Sequence, residues 1–294
     1  MIRRVAITGA RGQLGRELVR AFRSAGDEVA ELVRPAFDLR NVEASAALLG
    51  DLRPNVVINA AAWTDVDGCA REPERAMQLN GDAPARLAGV TRPWQPLFVQ
   101  ISTNEVFDGT AQRPYDEDDA TVPINPYGKS KLAAERGVAS ATPTHLLIRT
   151  AWLYGPDGTN FVSKILGAAE RARDGGEALR VVDDEWGNPT WAPALAAAIV
   201  QGVSRAPPAG IRVLHLAGTP AATRHAWAAR VLESMENPPK LTTMALADYE
   251  RPSRVPPRAV LATSLARALG IRPIDWQVTT DRYIASLGSA QASA

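Results

Sequence analysis

Cysteine is nearly absent from this chain of 294 residues. The single thiol, Cys69, has no second thiol within the chain to pair with, so no internal disulfide holds the fold and a reducing, cytoplasmic setting is expected. Histidine is almost as scarce. His145, His215 and His225, with one cysteine, make none of the Cys/His spacings that ligate a structural metal. Net charge is lacking too: 33 Lys+Arg against 32 Asp+Glu leave +1, which argues against an electrostatic nucleic-acid partner or a polybasic hold on a membrane. Long apolar runs are missing. The first strand-like run, Arg4 to Thr8, breaks at Gly9 before it reaches the apolar length of a signal peptide. Trp191 to Val203, the most apolar helical stretch, carries Pro193 and Gln201 and falls short of the ~20 residues of a bilayer span. No internal repeat is found, and no G-x-S-x-G turn makes a nucleophile of Ser102 beside His145.

What is present is an ordinary globular composition, 46% apolar and 22% charged, enough for one large core or a core with a smaller lobe. Short β-branched runs recur at Arg4–Thr8, Glu28–Val33, Asn55–Asn59, Leu97–Ile101 and His145–Arg149. Helix-period stretches lie between them at Gln13–Ala25, Val42–Leu49, Glu72–Leu87 and Tyr127–Ser140. Continuous apolar strands alternating with helices predict an α/β fold: a doubly wound parallel sheet of the Rossmann type, with a smaller C-terminal substrate-binding lobe. The expected division is residues 1–155 for the dinucleotide-binding domain, to which later strands return, 156–287 mainly for the lobe, and a fraying tail from 288 to 294. Within the lobe we expect a helix at Phe161–Arg173, a strand at Leu179–Val182, a helix after Pro193 and a strand at Val213–Ala217. Pro207-Pro208, Pro238-Pro239, Pro252 and Pro256-Pro257 cut its last part into short pieces.

The chemistry begins at Thr8-Gly9-Ala10-Arg11-Gly12-Gln13-Leu14-Gly15, where three glycines spaced by two residues close a strand and open a helix. Such glycines let backbone amides approach a pyrophosphate at a helix N-terminus, where the dipole favours negative charge. Gly9, Gly12, Gln13 and Leu14 are therefore candidates for holding a dinucleotide. The second strand ends Val33-Arg34-Pro35 rather than at an acidic residue, and Arg34 is a cation where a 2′-phosphate sits, which points to NADPH. A solvated surface arginine is the competing reading, and Glu31 leaves NADH open. Asp38-Leu39 reads equally as an adenine contact and as a helix cap.

Tyr127 and Lys131 stand four apart and share one helical face, with Asn125-Pro126 marking the helix start. A tyrosine of ordinary pKa ~10 becomes a proton donor near neutrality beside positive charge, which Lys131 and an oxidised nicotinamide would supply. Ser102-Thr103-Asn104-Glu105 closes the fourth strand at the carboxyl end of the sheet, where ligands of such sheets bind. Ser102 is expected at the cofactor and Thr103, Asn104 and Glu105 at the substrate, with Glu105 suited to hydroxyls rather than to a carboxylate.

With these segments in view, the chain from Val5 to about Gln277 resembles the dTDP-4-dehydrorhamnose reductase family, within the extended short-chain dehydrogenase/reductases. The matching pieces are the glycine loop, Asn59 to Thr64 with Val66-Asp67, Tyr127 to Glu135, Arg149 to Gly155, Asn160-Phe161 and Gly187 to Thr190. The resemblance implies a catalytic group of Thr103, Tyr127 and Lys131, a cofactor wall of Ala62, Trp63 and Thr64, and a sugar-nucleotide contact at Trp152. It also implies that Asn80 braces the catalytic helix. Where the family has Asp-Tyr after the threonine, this chain has Asn104-Glu105, which is similar to the Thr-Asp-Glu of sugar-nucleotide 4,6-dehydratases. Asn104 is no acid. The implied activity is NADPH-dependent reduction of a dTDP-linked 4-keto-6-deoxy sugar, dTDP-4-dehydro-L-rhamnose to dTDP-L-rhamnose. Another dTDP-4-keto-sugar reductase, a 4,6-dehydratase and a non-catalytic regulatory subunit are the alternatives. No metal is implied, and the quaternary state is left between monomer and homodimer. Trp186, Trp191 and Trp227 read as lobe packing before a ligand platform, and Asp116 to Asp119 as an exposed loop before a cation site.

Overall fold

Apolar runs bounded by glycine, asparagine or proline become the strands of one parallel sheet in the computed structural model, which describes residues 2–206 and 210–291. The strands are β1 (Arg4–Thr8), β2 (Glu28–Leu32), β3 (Val56–Asn59), β4 (Leu97–Thr103), β5 (His145–Thr150) and β6 (Val213–His215), in the order β6-β5-β4-β3-β1-β2. Every pairing is parallel. β3 and β5 are buried at every residue, as a sheet covered on both faces requires, whereas β2 at the edge is largely open. The chain moves outward from β1 to β2 and then restarts on the other side at β3. That reversal leaves a crevice at the carboxyl ends of the strands.

The helices that flank these strands are α1 (Gln13–Ser24), α2 (Val42–Leu52), α3 (Ala83–Thr91), α4 (Pro126–Ala141), α5 (Phe161–Asp174), α6 (Ala192–Arg205), α7 (Arg224–Leu232) and α8 (Trp276–Gln291). Strand alternation sends Val5 and Ile7 to one face, where they pack with Leu18 and Phe22 of α1 and Leu195 and Ile199 of α6. Ala6 goes to the other face, with Leu49 of α2, Leu87 of α3 and Val138 of α4. A separate cluster of Tyr154, Val162, Trp227, Trp276 and Tyr283 forms the core of the C-terminal lobe. Trp227 is fully buried, its indole N–H donating to Thr280 Oγ1 at 3.1 Å, which is the packing role expected for it.

The expected helix over Glu72–Leu87 is divided instead. A short helix at Pro73–Ala76 widens into a π-helical turn at Met77–Asp82 before α3 begins. The expected strand over Val213–Ala217 stops at His215. The chain end expected to fray from Gly288 lies within α8 as far as Gln291, and residues 292–294, like Pro207-Pro208, lie outside those described. Among the described residues no helix is long and apolar enough to cross a membrane.

Candidate active site

The glycine loop is shaped by close approach. Gly9 has φ +63°, and a Cβ there would sit 2.9 Å from Ala61 backbone atoms. A Cβ on Gly15 would lie 2.0 Å from the Gly9 carbonyl oxygen. The loop therefore presses directly on β3's exit and on the first turn of α1. Gly12 is the N-cap of α1 without any side-chain cap, and the first turn holds no acidic residue, so no side chain answers the positive end of the dipole. A groove of about 560 Å³ opens there, lined by Gly9, Arg11, Gly12, Arg34, Asp38, Leu39, Ala62 and Trp63 among others.

Of the residues expected at the cofactor, seven thus line one groove. Gln13 instead donates to the Gly155 carbonyl at 3.2 Å, Leu14 is buried in the core, and Thr64 is exposed and outside the groove lining. The Asp38 carboxylate is held by Arg40, Nε at 3.0 Å, which drops its pKa to about 2. Asn80 is fully buried on the π-helical turn, which packs against the catalytic helix. From the π-helical turn its side chain pairs with both backbone groups of Trp63, at 2.8 and 2.9 Å, and so fixes the groove wall.

α4 begins where Asn125 caps it, Oδ1 accepting from Gly128 N at 2.7 Å, with Pro126 at the first helical position. Its amide nitrogen donates to Glu105 Oε2 at 2.6 Å and to the Arg254 carbonyl at 2.9 Å. Gly128 lets the first turn close on β4's exit, since a Cβ there would be 2.1 Å from the Glu105 carbonyl oxygen. Tyr127 is half-buried, with Thr103 near enough to act on its phenol. Lys131, one turn on, is 3% exposed and donates to the Ile101 carbonyl at 2.6 Å. Thr103, Tyr127 and Lys131 are thus brought together beside the groove.

Burial pushes the Tyr127 phenol well above its ordinary pKa, with the Glu105 charge adding and the Thr103 hydrogen bond opposing. Burial dominates and keeps the phenol protonated, a proton donor rather than a base. Burial also draws Lys131 down to about 8, against the upward pull of Glu135, so it remains largely cationic at neutrality. Glu105 is pushed up to about 7, chiefly by burial.

The remaining residues divide. Ser102 donates to Glu135, whose carboxylate also takes Arg149 Nε at 3.0 Å and Nη2 at 2.8 Å. Asn104 is 5% exposed, and its amide donates to the Ala259 carbonyl at 3.0 Å. Trp152 has φ +42°, a strained conformation for a bulky residue, and Gly187 leaves room for its ring. The Arg224 guanidinium lies 3.5 Å over that ring and pairs with Glu185 at 2.9 Å. Arg251 bonds Asp67 at 3.0 Å across the cleft. Arg224, Glu185 and Arg251 all act electrostatically on Glu105, so the lobe lines the site with charged groups that sequence reading missed. The run Asp116 to Asp119 is anchored, Asp119 by Arg113 and Glu117 by the His215 amide.

Comparison with known proteins bears on the same residues. A family model described as the RmlD substrate binding domain matches residues 3–289, and the chain belongs to that family. It is 38% identical to a dTDP-4-dehydrorhamnose reductase of Streptomyces griseus, over 97% of this chain and 94% of that protein. Its fold matches a crystal structure of a dTDP-4-dehydrorhamnose reductase from Clostridium acetobutylicum with a TM-score of 0.90 at 31% identity, covering 97% of this chain and 99% of the other. A Bacillus anthracis dTDP-4-dehydrorhamnose reductase solved in complex with NADP matches at 0.88 and 26%, covering 97% and 100%.

Proposed function

We propose that this protein is an NADPH-dependent reductase of a dTDP-linked 4-keto-6-deoxy sugar, converting dTDP-4-dehydro-L-rhamnose to dTDP-L-rhamnose. The observation that carries the reading is the grouping of Tyr127, whose phenol feels Thr103, with buried Lys131 one turn on, beside a groove built on the glycine loop. The named activity of its relatives supports it.

The groove fits a dinucleotide. Gly9, Gly12 and the uncapped start of α1 would hold the pyrophosphate, Arg34 a 2′-phosphate, Leu39 the adenine, and Ala62 and Trp63 the wall beside it. When bound, NADPH supplies the hydride that adds to the carbonyl carbon. Tyr127 gives its phenolic proton to the carbonyl oxygen as negative charge gathers there, and Thr103 donates a hydrogen bond to the same oxygen. The cation of Lys131 stabilises the phenolate left behind until solvent reprotonates it. Glu105, facing Arg224 and Glu185, accepts from sugar hydroxyls, and Trp152 beneath Arg224 forms the wall on the lobe side. A cytoplasmic setting belongs to this reading, which the free thiol of Cys69 supports; light scattering decides between monomer and homodimer.

The test is Tyr127→Phe assayed with NADPH and dTDP-4-dehydro-L-rhamnose. Turnover should fall by ~10² or more with the NADPH dissociation constant within about twofold of wild type. Unchanged turnover would place the acid elsewhere. Incubation with dTDP-glucose should yield no product lighter by the mass of water, since Asn104 has no proton to give; such a product would defeat the reductase reading.

A further inference from the structure

Three side chains on one face of α4, Tyr127, Lys131 and Glu135, follow each other at helical spacing and meet consecutive positions of β4. Tyr127 lies near Thr103, while Lys131 donates to the carbonyl of Ile101 and Glu135 accepts from the hydroxyl of Ser102. The first two contacts belong to the proposed chemistry. The third does not, yet Glu135 is 3% exposed and Ser102 4%, so the contact is enclosed and shaped. We infer that Glu135 is a positioning residue: through the hydrogen bond from Ser102 it holds the end of β4 against α4, and its negative charge supplies the field in which Lys131 works.

The inference rests on the reductase reading for its kinetic consequence, though not for its electrostatics. A buried carboxylate costs several kcal/mol unless paired, and Arg149 pairs this one from β5, which explains why it is tolerated. Pairing alone does not require the carboxylate to stand one turn from Lys131 and to take a second donor from the residue before Thr103. The charges around these groups are few. Lys131 feels Glu135 and the Cys69 thiol, and burial pushes that thiol up to about 11, so it is neutral at physiological pH. Arg149 faces the His215 ring at 3.4 Å, the Glu117 carbonyl at 3.1 Å and the Phe107 ring at 5.1 Å; burial drops His215 to about 3, so that ring is neutral as well. Burial acts first on Lys131, and Glu135, one helical turn away on the same face, is the charged neighbour that opposes it.

The chain has only four lysines, Lys129, Lys131, Lys164 and Lys240, so the Cε resonances of ¹³C-lysine-labelled protein can be titrated singly, with Lys131→Arg to assign the one of interest. In Glu135→Gln, which keeps an acceptor for Ser102 and loses the charge, the Lys131 midpoint should fall by about half a pH unit or more, with the other three unmoved. Should that variant strand Arg149 and fail to fold, Glu135→Leu with Arg149→Met replaces the pair by apolar volume and should move Lys131 in the same direction. Ser102→Ala keeps the pair and breaks only the clasp. It should leave the midpoint in place and lower kcat by about tenfold, with the NADPH dissociation constant within about twofold. A Lys131 midpoint indifferent to loss of the Glu135 charge, or a Ser102→Ala enzyme with wild-type kcat, would overturn the inference. Because the titration needs no substrate, failure of the reductase reading would show separately, as a wild-type protein that titrates as expected but does not reduce the sugar.

Discussion

Glu105 is the acidic side chain in the cleft whose charge state the fold contests most strongly, and replacing it by glutamine measures that contest. Burial pushes its carboxyl from the ordinary 4.5 up to about 7, and nearby Glu185 adds to the effect. Asn125 Nδ2 at 2.6 Å, Arg251 and Arg224 pull the other way without prevailing. A displacement of that size corresponds to about 2 to 3 kcal/mol of unfavourable ionisation in the folded state, once partial solvent contact is allowed for. The sign follows from proton counts. Between pH 4.5 and 7 the folded protein holds a proton on Glu105 that the unfolded chain has released, so stability falls as pH rises through that window and is level above it. Glu105→Gln still offers Asn125 an oxygen but has no proton to lose. The difference in unfolding free energy, variant minus wild type, should therefore climb by about 2 to 3 kcal/mol from pH 4.5 to 7.5. In a melt this appears as a variant gaining several degrees on wild type at the upper pH, at about 2–4 °C per kcal/mol. Urea titrations at half-unit steps give the curve, and taking the difference cancels the histidines. A flat difference curve, or one that slopes the other way, would refute the reasoning.

Other substitutions probe the groove. Gly15→Ala would put a Cβ 2.0 Å from the Gly9 carbonyl oxygen, so α1 must shift from the loop; NADPH affinity measured by fluorescence should drop at least tenfold. Arg34→Ala should weaken NADPH about tenfold and leave NADH nearly unchanged, as expected for loss of a guanidinium that pairs with a 2′-phosphate. Equal weakening of both cofactors would make Arg34 a general surface charge.

The groove at the glycine loop and the Tyr127–Lys131 face were legible because their determinants are local. Glycines that must abut one another lie within one loop, and Tyr127 and Lys131 lie within one helical turn, so spacing alone brings them together. Strands buried on both faces announced themselves as unbroken apolar runs, and their ends were placed within a few residues. What the sequence leaves open has a common cause, which is that spacing locates a backbone and not the partner a side chain selects. Gln13 sits in the glycine loop yet turns to Gly155, and Ser102 adjoins Thr103 yet turns to Glu135. The Asn80 side chain turns to Trp63 from a π-helical turn, and no periodicity of 3.6 foretells such a turn. Arg224 and Arg251 reach the cleft from more than a hundred residues beyond Thr103, in a stretch broken by prolines, and nothing in their own neighbourhood marks them.

Asn104 and Glu105 carry the clearest consequence of that distinction. Side by side in sequence, they read as a pair of substrate contacts, and both depart from the Asp-Tyr of the family the chain resembles. In the fold they part company. The Asn104 amide is committed to the Ala259 carbonyl, on the segment that crosses from the C-terminal lobe, while Glu105 stays on the cleft side, tied to the cap of the catalytic helix through Asn125. A carboxylic acid at position 104 would place its proton on the carbonyl of that lobe segment, and an asparagine serves the same contact without adding a charge to a residue 5% exposed. The substitution at 104 therefore bears on how the lobe is seated, and the substitution at 105 on what the cleft accepts. Specificity for the sugar should accordingly follow Glu105 and the lobe charges around it, Arg224, Glu185 and Arg251, while Thr103, Tyr127 and Lys131 keep a geometry indifferent to which hydroxyls the sugar carries.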